Sequence, residues 1–207
     1  MILKNDYYYY SEALSHTFCD DIIKMGNKIN LGQARTGGYD EKDLHNKKKL
    51  KKLKNIRDSF VSFLDEWWIQ RILKGYLIHA NREARWNFDI DLTEKMQFTK
   101  YAHNQYYHWH RDGWHQPYNN PKTPDLNGRI RKLSMVVQLS DPNDYTGGEL
   151  EFGWAEPSKK LKIMKVPEFK FKGSVIVFPS FIFHRVRPVL SGIRYSLVLW
   201  SVGAPFK

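Results

Sequence analysis

Residues 105–115, QYYHWHRDGWH, bring together side chains that could bind a metal ion. His108, His110 and Asp112 follow one another at every second position. In a β-strand, side chains two positions apart project from the same face. His110 and Asp112 would therefore present an imidazole beside a carboxylate, and His108 could join them. Nitrogen and carboxylate ligands without thiolate suit Fe(II), Mn or Zn, so the pattern predicts the near ligands of a metal site.

The third ligand has to come from elsewhere in the chain, and His184 is the best candidate. The other histidines lie in the predicted helical part or flank the motif itself: His16, His45, His79, His103 and His115. His184 stands alone in VFPSFIFHRVRPV, between an apolar strand and a basic one. Two imidazoles and one carboxylate on one face of an ion leave three positions open, which is typical of non-haem Fe(II) oxygenases.

A cation that could bind a second molecule follows ten residues after His184. The segment RYSLVLW places Arg194 and Ser196 on one strand face. Arginine is always charged, and its rigid fork matches a carboxylate with two hydrogen bonds. Burying it inside a barrel is costly unless an anion arrives, and a dicarboxylate cosubstrate would be such an anion. The alternative is a salt bridge between Arg194 and an Asp or Glu of the protein.

The elements that must position these residues begin with helices. Residues 11–29 space apolar side chains three or four apart, which predicts a helix with one buried face; these are Phe18, Ile22, Met25 and Ile29. The glycine-rich, charged segment from Gly32 to about Asn55 is predicted to be a mobile loop. A second helical region is predicted from Asp58 to Arg85, with an apolar stripe of Phe60, Phe63, Leu64, Trp67, Leu73, Leu77 and Ala80.

From Trp86 onward the chain changes to short β-type runs separated by turns. The runs are WNFDIDL, MQFTKY, QYYHWH, RKLSMVVQLS, GELEFG, LKIMKV, GSVIVFPS, HRVRPV and RYSLVLWSV. Many short strands at close spacing predict an antiparallel sandwich or barrel. Two helices laid on one face of such a sheet would complete the core.

Length and composition limit the class of protein. A chain of 207 residues can form one sizeable core but not two comfortable domains. No apolar run is long enough to span a membrane or to serve as a signal peptide, and the single cysteine provides no disulfide framework. We therefore expect a cytoplasmic protein. The net charge of +11 could attract nucleic acid. Part of it lies in KKKLKKLK (47–54), either a solvated face or a lid for an acidic substrate.

Taken together, the motifs resemble those of the Fe(II)/2-oxoglutarate-dependent dioxygenases, in particular the prolyl 4-hydroxylase branch and its bacterial PKHD-type hydroxylases. The resemblance is carried by YAHNQYYHWHRD, LSMVVQLSDPNDYTGGELEF and GSVIVFPSFIFHRVRPVLSGIRY, and more weakly by IRDSFVSFLDEWW and ANREARWNFDI. It covers most of the chain from about Arg57. Asn104 stands where the family usually has glycine, and Gln138 where related prolyl hydroxylases often have tyrosine.

The resemblance implies an α+β fold, in which a double-stranded β-helix (jelly-roll) core carries N-terminal helices on one sheet. A single domain is expected over residues 1–207, with mainly helical support and the lid loop in 1–85 and the jelly roll in 86–207. The implied iron ligands are His110, Asp112 and His184. Arg194 is assigned to the distal carboxylate of 2-oxoglutarate, supported by Ser196, and Tyr101 is assigned as a further cosubstrate contact.

The implied reaction is hydroxylation of an unactivated C–H bond, with Fe(II), 2-oxoglutarate and O2 as cofactor and cosubstrates; ascorbate is an additional candidate cofactor. The leading substrate is a prolyl or other peptidyl side chain, followed by a free amino acid or another small molecule. Near the mouth of the site, Tyr107, Trp114 and Tyr118 are candidate substrate contacts. His108 is assigned to a position next to the metal ligands or facing the substrate. In the alternative, His108 and His110 would be the near ligands, and Asp112 would not bind the metal.

Three other functions fit parts of the pattern. A nucleic-acid demethylase of the same superfamily would explain the net charge, but Arg187 and Arg194 do not form the closer arginine pair usual after the distal histidine in such enzymes. A zinc- or manganese-binding jelly roll of the cupin kind would leave Arg194 without a role. A non-catalytic binding module would not need every reacting position to be filled.

Overall fold

The computed structural model describes residues 3–36, 39–113, 116–119, 121, 123–154 and 162–206. Its helices are α1 (His16–Lys28), α2 (Lys47–Ile56) and α3 (Trp67–Glu83), with 3-10 turns at Lys42–His45, Pro124–Leu126 and Pro167–Lys170. The strands are β1 (Tyr8–Tyr10), β2 (Gly32–Gln33), β3 (Arg57–Asp58), β4 (Phe60–Leu64), β5 (Leu92–Thr93), β6 (Met96–Tyr101), β7 (Tyr106–His110), β8 (Ile130–Gln138), β9 (Tyr145–Gly147), β10 (Leu150–Trp154), β11 (Lys162–Lys165), β12 (Val175–Pro179), β13 (Phe183–Val186), β14 (Val189–Gly192) and β15 (Arg194–Gly203). None of the described helices is long and apolar enough to cross a bilayer.

The strands form two facing antiparallel sheets. The larger sheet has the order β1-β12-β8-β15-β6-β4-β2, with β5 paired to β15. The smaller sheet has the order β11-β10-β13-β7-β3, and β14 pairs with β9 in a short ribbon. Apart from β10 and β11, neighbouring strands in both sheets are not consecutive in the chain, as the crossed connections of a jelly roll require. The predicted α+β jelly roll with helices on one sheet is confirmed.

The side chains of the larger sheet alternate between its two faces, and each face contributes to a separate hydrophobic core. Leu133, Met135 and Val137 of β8 face the helices and pack with Leu73 and Leu77 of α3. The opposite face of the same sheet points between the two sheets, where an inner apolar cluster forms around Ile176, Phe152, Phe178 and Val136. Because successive side chains of a strand alternate in direction, polar residues on this inner face point into the space between the sheets.

The prediction of a helical region from Asp58 to Arg85 is wrong over its first part. Residues 57–58 form β3 and residues 60–64 form β4, and α3 begins only at Trp67. Phe63 is 51% exposed and Trp67 is 70% exposed, so neither belongs to the buried stripe. The run FVSFL also fits a strand period, and pairing with β6 supplies its hydrogen bonds. Tertiary pairing therefore outweighs the helical spacing.

The predicted loop from Gly32 to about Asn55 is also partly wrong, because α2 occupies its lysine-rich end. The Asn46 side chain caps this helix by accepting from the backbone N–H groups of Lys48 and Lys49. Leu53 is fully buried on one face, while the lysines point outward into solvent. One buried leucine face and a side-chain cap are enough to hold a short helix that is otherwise cationic.

The first predicted strand, WNFDIDL, forms only at its end, as β5. Arg85 and Asn87 both adopt positive φ, at 58° and 49°, a backbone conformation that no extended strand accepts. Trp86 between them is buried, and its indole N–H donates to the backbone oxygen of Asn5 at 2.7 Å. This segment therefore anchors the chain's beginning to the helical core instead of extending the sheet.

Cys19 lies on the buried face of α1 and is fully enclosed. Burial raises the pKa of its thiol to about 11, so at pH 8 only about 0.1% of it is in the reactive thiolate form. We expect Ellman's reagent to label the native protein very slowly and the protein in guanidinium chloride at once. Rapid labelling of the native protein would show that α1 detaches readily from the sheet.

Candidate active site

The three predicted metal ligands converge between the sheets. His110 at the end of β7 pairs directly with His184 of β13, and Asp112 follows two residues after β7. One ligand atom from each of the three residues lies within 4.8 Å of the other two. The Asp112 carboxylate is 3.6 Å from His110 Nε2 and 3.5 Å from His184 Nε2. The described residues contain this one group of three or more metal-ligating side chains.

Both imidazoles are oriented by backbone oxygens behind them. His110 Nδ1 lies 2.8 Å from the carbonyl oxygen of His108, and His184 Nδ1 lies 3.0 Å from that of Ile182. A carbonyl oxygen accepts only, so each Nδ1 carries the proton and each Nε2 presents a lone pair to the cluster. This is the tautomer that binds a divalent cation.

Burial favours the neutral form of the first histidine. His110 stacks on the ring of Tyr107 at a centroid distance of 3.4 Å, and its ring is 4.1 Å from that of His184. Desolvation and the second imidazole lower the pKa of His110 to about 4. At neutral pH the imidazole is therefore uncharged and free to act as a ligand.

Asp112 is held by contacts from two neighbouring strands. Its backbone N–H donates to the Ser180 carbonyl oxygen at 3.0 Å, and the Ser134 hydroxyl donates to its Oδ2 at 2.8 Å. The histidines beside it hold the pKa of Asp112 well below its usual range, although its burial acts in the opposite direction. The carboxylate is thus ionised and oriented, as a metal ligand must be.

Ser134 gives a test of this orientation that leaves all three ligands in place. We expect Ser134→Ala to weaken Mn(II) or Fe(II) binding by about 10- to 100-fold, the usual effect of removing a hydrogen bond to a metal ligand. Metal titration followed by calorimetry measures the change. Ser201→Ala is the matched control, because the Ser201 hydroxyl is buried without a partner among the described residues. Equal metal affinities of the two variants would contradict the assignment.

Arg194 enters the same space from β15 and carries an unpaired positive charge. It is 2% exposed, its Nη1 has no hydrogen-bond partner, and no carboxylate of the described residues lies within 4.0 Å of it. The predicted alternative, a salt bridge within the protein, is therefore not formed by the described residues. A buried guanidinium without a counter-ion is a binding site for an anion.

Gly148 makes room for this arginine. It has φ of +68°, and a Cβ atom built on it would lie 3.0 Å from Arg194 Cδ. Both the backbone conformation and the close approach require glycine here. The Gly-Gly pair of the sequence motif thus contributes to the shape of the anion site through Gly148, a role that its sequence pattern alone does not reveal.

A cavity of about 690 Å³ joins the metal ligands to Arg194. Its wall includes Tyr101, Tyr107 and Ser196, so these predicted site residues lie together with the triad. Apolar side chains, including Val136, Leu150, Val186 and Val198, complete the inner wall. The cavity has room for a small cosubstrate and for part of a second molecule.

The remaining candidates lie elsewhere. His108 is exposed, its Nδ1 accepts from the Trp109 backbone N–H at 2.8 Å, and its side chain does not line the cavity. The Tyr118 hydroxyl donates to Glu94 at 2.9 Å, and Tyr118 also lies off the cavity wall. Trp114 lies outside the described residues. The assignment of these three residues to substrate stays a prediction.

Gln138, at the position where the resemblance leads us to expect tyrosine, lines a second cavity of about 810 Å³. Its Nε2 donates to the Tyr145 hydroxyl at 2.9 Å, while its buried Oε1 has no partner. Arg194 lines both cavities, whereas this glutamine and tyrosine line only the second one and the metal ligands only the first. The substitution therefore alters the surroundings of Arg194 and not the ligand triad.

Sequence reasoning missed Arg131, which also lines the first cavity. Arg131 forms a two-pronged ion pair with Glu94, at 2.6 and 2.7 Å, and its guanidinium lies 3.9 Å from the centre of the Trp200 ring. This ion pair raises the pKa of Arg131 further above its usual range. A paired arginine of this kind supports the wall of the cavity and does not call for a ligand. No local motif marks the pair, since its members are distant in sequence.

The donor set and its surroundings fit a divalent metal ion with an anionic cosubstrate. Two imidazoles and one carboxylate face a common point, and Arg194, whose Nη1 has no partner among the described residues, lies on the wall of the same cavity. Nitrogen and carboxylate ligands on one side of an ion leave its other positions open to the cavity.

Comparison with known proteins agrees with this geometry. A PKHD-type hydroxylase from Synechococcus sp. (strain CC9902) is 39% identical over 88 residues, which are 42% of this chain and 34% of that protein. The match thus spans about a third of the relative's length. The 2OG complex of viral collagen prolyl hydroxylase from Paramecium Bursaria Chlorella virus-1 has a TM-score of 0.61 at 21% identity, covering 97% of this chain and 98% of that one.

A prolyl hydroxylase from Trichoplax adhaerens, in complex with a hypoxia inducible factor peptide fragment, has a TM-score of 0.62 at 16% identity. The match covers 96% of this chain and 84% of that one. At these identities the solved structures establish the fold alone. The family model of the 2OG-Fe(II) oxygenase superfamily matches residues 96–202, a span that contains the whole triad and Arg194. The chain belongs to the 2OG-Fe(II) oxygenase superfamily.

Proposed function

We propose that this protein is an Fe(II)- and 2-oxoglutarate-dependent dioxygenase that hydroxylates an unactivated C–H bond, with a prolyl or other peptidyl side chain as the leading substrate. The observation that carries the proposal is one cavity lined by a His-Asp-His triad and an unpaired buried arginine. The peptide preference is supported by the PKHD-type relative and by the prolyl hydroxylases of the same fold.

Each residue of the triad has a defined part in this proposal. His110, Asp112 and His184 would hold the iron, and the carbonyl oxygens behind the imidazoles keep both Nε2 atoms aimed at it. When bound, iron and 2-oxoglutarate supply the chemistry that couples oxidative decarboxylation to succinate and carbon dioxide with the transfer of one oxygen atom into a C–H bond. The single carboxylate of Asp112 lowers the charge of the complex without closing the open positions.

Arg194 and the cavity wall would position the cosubstrate. The buried guanidinium would hold the far carboxylate of 2-oxoglutarate through charge-assisted hydrogen bonds, and Ser196 and Tyr101 line the same cavity. The apolar residues Val136, Leu150 and Val198 exclude water around the reacting groups. The protein would contribute the orientation of the cosubstrate and the exclusion of water, and the residues responsible lie on the inner faces of the sheets.

The direct test measures succinate after addition of Fe(II), 2-oxoglutarate and oxygen, with and without peptide pools. We expect succinate to form only when both iron and 2-oxoglutarate are present, and to increase when a substrate peptide gains 16 Da in mass. Zn(II) in place of Fe(II) is the control, since it fills the ligands without redox chemistry. A pure, metal-loaded protein that forms no succinate under any of these conditions would favour a binding function.

A further inference from the structure

A second buried arginine lines the cavity of the triad, and the reaction as proposed does not use it. Arg57 of β3 is 5% exposed and lies on the cavity wall. Its guanidinium carbon is 4.5 Å from the centre of the Tyr107 ring. The His110 ring covers Tyr107 at 3.4 Å, and this spacing leaves only the opposite face for the guanidinium. The Tyr107 ring therefore lies between the Arg57 guanidinium and the proposed iron ligand His110.

The charge of Arg57 is not neutralised within the described part of the chain. Its Nε donates to the Ser59 hydroxyl at 2.9 Å, and no described carboxylate lies within 4.0 Å of the guanidinium. The neighbouring Asp58 is turned to other partners, with its oxygens 3.3 Å from Gln33 Nε2 and 3.6 Å from Lys54 Nζ. Stacking on an aromatic ring recovers only part of the cost of burying a cation.

Four other arginines line the cavity: Arg35 and Arg111 are exposed, whereas Arg131 and Arg194 are largely enclosed and are the ones to compare with Arg57. Arg131 is paired with Glu94 through two hydrogen bonds. Arg194 is unpaired and is accounted for by the cosubstrate. The two buried arginines that meet no carboxylate of the described residues come from opposite sheets, Arg194 from β15 of the larger sheet and Arg57 from the edge strand β3 of the smaller one. Two unpaired cations on two walls suit two different anionic molecules.

We propose that Arg57 binds a carboxylate group of the substrate, so that the C–H bond to be hydroxylated belongs to a carboxylate-bearing molecule. This inference rests on the proposed function, whose substrate class it narrows. The carboxylate belongs either to a free amino acid or small acid, or to an acidic side chain next to the target residue of a peptide. In both cases the charged group is held beside the triad by a preformed fork.

The rest of the cavity mouth is consistent with such a substrate. Leu44, Val61 and Phe63 line the same cavity and add apolar surface to it. The exposed lysines of α2, which leads directly into β3, give this edge a positive field. Such a field raises the local concentration of anions and speeds their arrival. A substrate with a carboxylate group and an apolar body would match both the cationic and the apolar residues of this part of the cavity.

The experiment uses matched acid and amide probes with the Fe(II)- and 2-oxoglutarate-loaded protein. One set contains the free L-amino acids and their primary amides. The other contains N-acetylated, C-amidated tripeptides with a central proline, flanked by Glu or Asp in one member and by Gln or Asn in its partner. The readouts are the +16 Da product, succinate formation and the Kd for 2-oxoglutarate. The variants are Arg57→Gln and Arg57→Lys, with Arg35→Gln as the control that removes an exposed positive charge from the same cavity.

We expect product from acids and not from their amides, and the set that reacts identifies the source of the carboxylate. Arg57→Gln should lower kcat/KM for the acid by about 100-fold, the effect of removing one partner of a buried charge pair, while the Kd for 2-oxoglutarate stays within about 2-fold. Arg57→Lys should retain part of the activity, and Arg35→Gln should retain the preference for acids.

The proposal is overturned if an amide reacts as well as its acid, or if Arg57→Gln lowers kcat/KM for acid and amide equally. It is also overturned if no acid of either set reacts although the protein decarboxylates 2-oxoglutarate. Absence of any 2-oxoglutarate decarboxylation would instead overturn the proposed function. The unchanged Kd of Arg57→Gln for 2-oxoglutarate also shows that the variant is folded, so a loss of product cannot be ascribed to unfolding.

Discussion

Replacing Asp112 by alanine is expected to abolish metal-dependent turnover. The carboxylate is the only anionic ligand of the triad, and Ser134 and the Ser180 carbonyl hold it in place. Loss of an outer hydrogen bond usually costs 10- to 100-fold in metal affinity, so loss of the ligand itself should cost more than about 100-fold. Binding at 100 times Kd stabilises a protein by about 2.7 kcal/mol, or roughly 5–10 °C for a chain of this size. Asp112→Ala should lose this shift in melting temperature on addition of Mn(II).

His108→Ala is the matched control for this measurement, because it tests the alternative ligand pair. The His108 side chain is exposed and turned to its own backbone, whereas its carbonyl oxygen, which orients His110, is untouched by the substitution. We expect His108→Ala to keep the full metal-induced shift in melting temperature. A retained shift in Asp112→Ala, together with a lost shift in His108→Ala, would move the ligand set to His108.

Replacing Arg194 by alanine should leave metal binding intact and raise the KM for 2-oxoglutarate by about 100- to 1000-fold. The guanidinium is buried and has no counter-ion among the described residues, so its interaction with a bound carboxylate is not weakened by water or by competing partners. Steady-state succinate formation at varied 2-oxoglutarate measures the effect. The metal-induced shift in melting temperature of the same variant checks that the triad is unaffected.

A cosubstrate analogue makes this test specific. 2-Oxobutyrate has the 2-oxo acid group but lacks the far carboxylate, so the native protein should use it poorly. In Arg194→Ala the preference for 2-oxoglutarate over 2-oxobutyrate should largely disappear. The apo variant should melt at the same or a higher temperature than the native protein, because an unpaired buried charge has been removed. An undiminished preference for 2-oxoglutarate would place its far carboxylate elsewhere in the cavity.

The metal ligands could be predicted from the sequence because two of them, His110 and Asp112, are close together in the chain and depend only on local geometry. Side chains at 110 and 112 are two apart in an extended chain, and the alternation of β15 places 194 and 196 on one face whatever the strand pairs with. The third ligand, His184, could be predicted because the other histidines lie in the predicted helical part or beside the motif itself. These features need only the period of a strand and the chemistry of the side chains.

The structure differed from prediction where local signals compete with tertiary pairing. Residues 60–64 carry apolar side chains at both helix and strand spacing, and pairing with β6 decided for strand. Residues 47–56 form a helix because Asn46 caps it and Leu53 is buried, although the glycine-rich, charged segment that contains them was predicted to be a loop. Such outcomes depend on what the rest of the chain offers as a partner.

The amino-acid sequence by itself determined which side chains could bind a metal and an anion, because residue type and strand period are local properties. Only the tertiary structure decided which arginines lack partners. Arg131 meets Glu94 across 37 positions, Arg194 and Arg57 meet no described carboxylate, and all three line one cavity. Whether a buried cation is satisfied depends on contacts between distant segments, and these contacts exist only once both sheets have closed around the site.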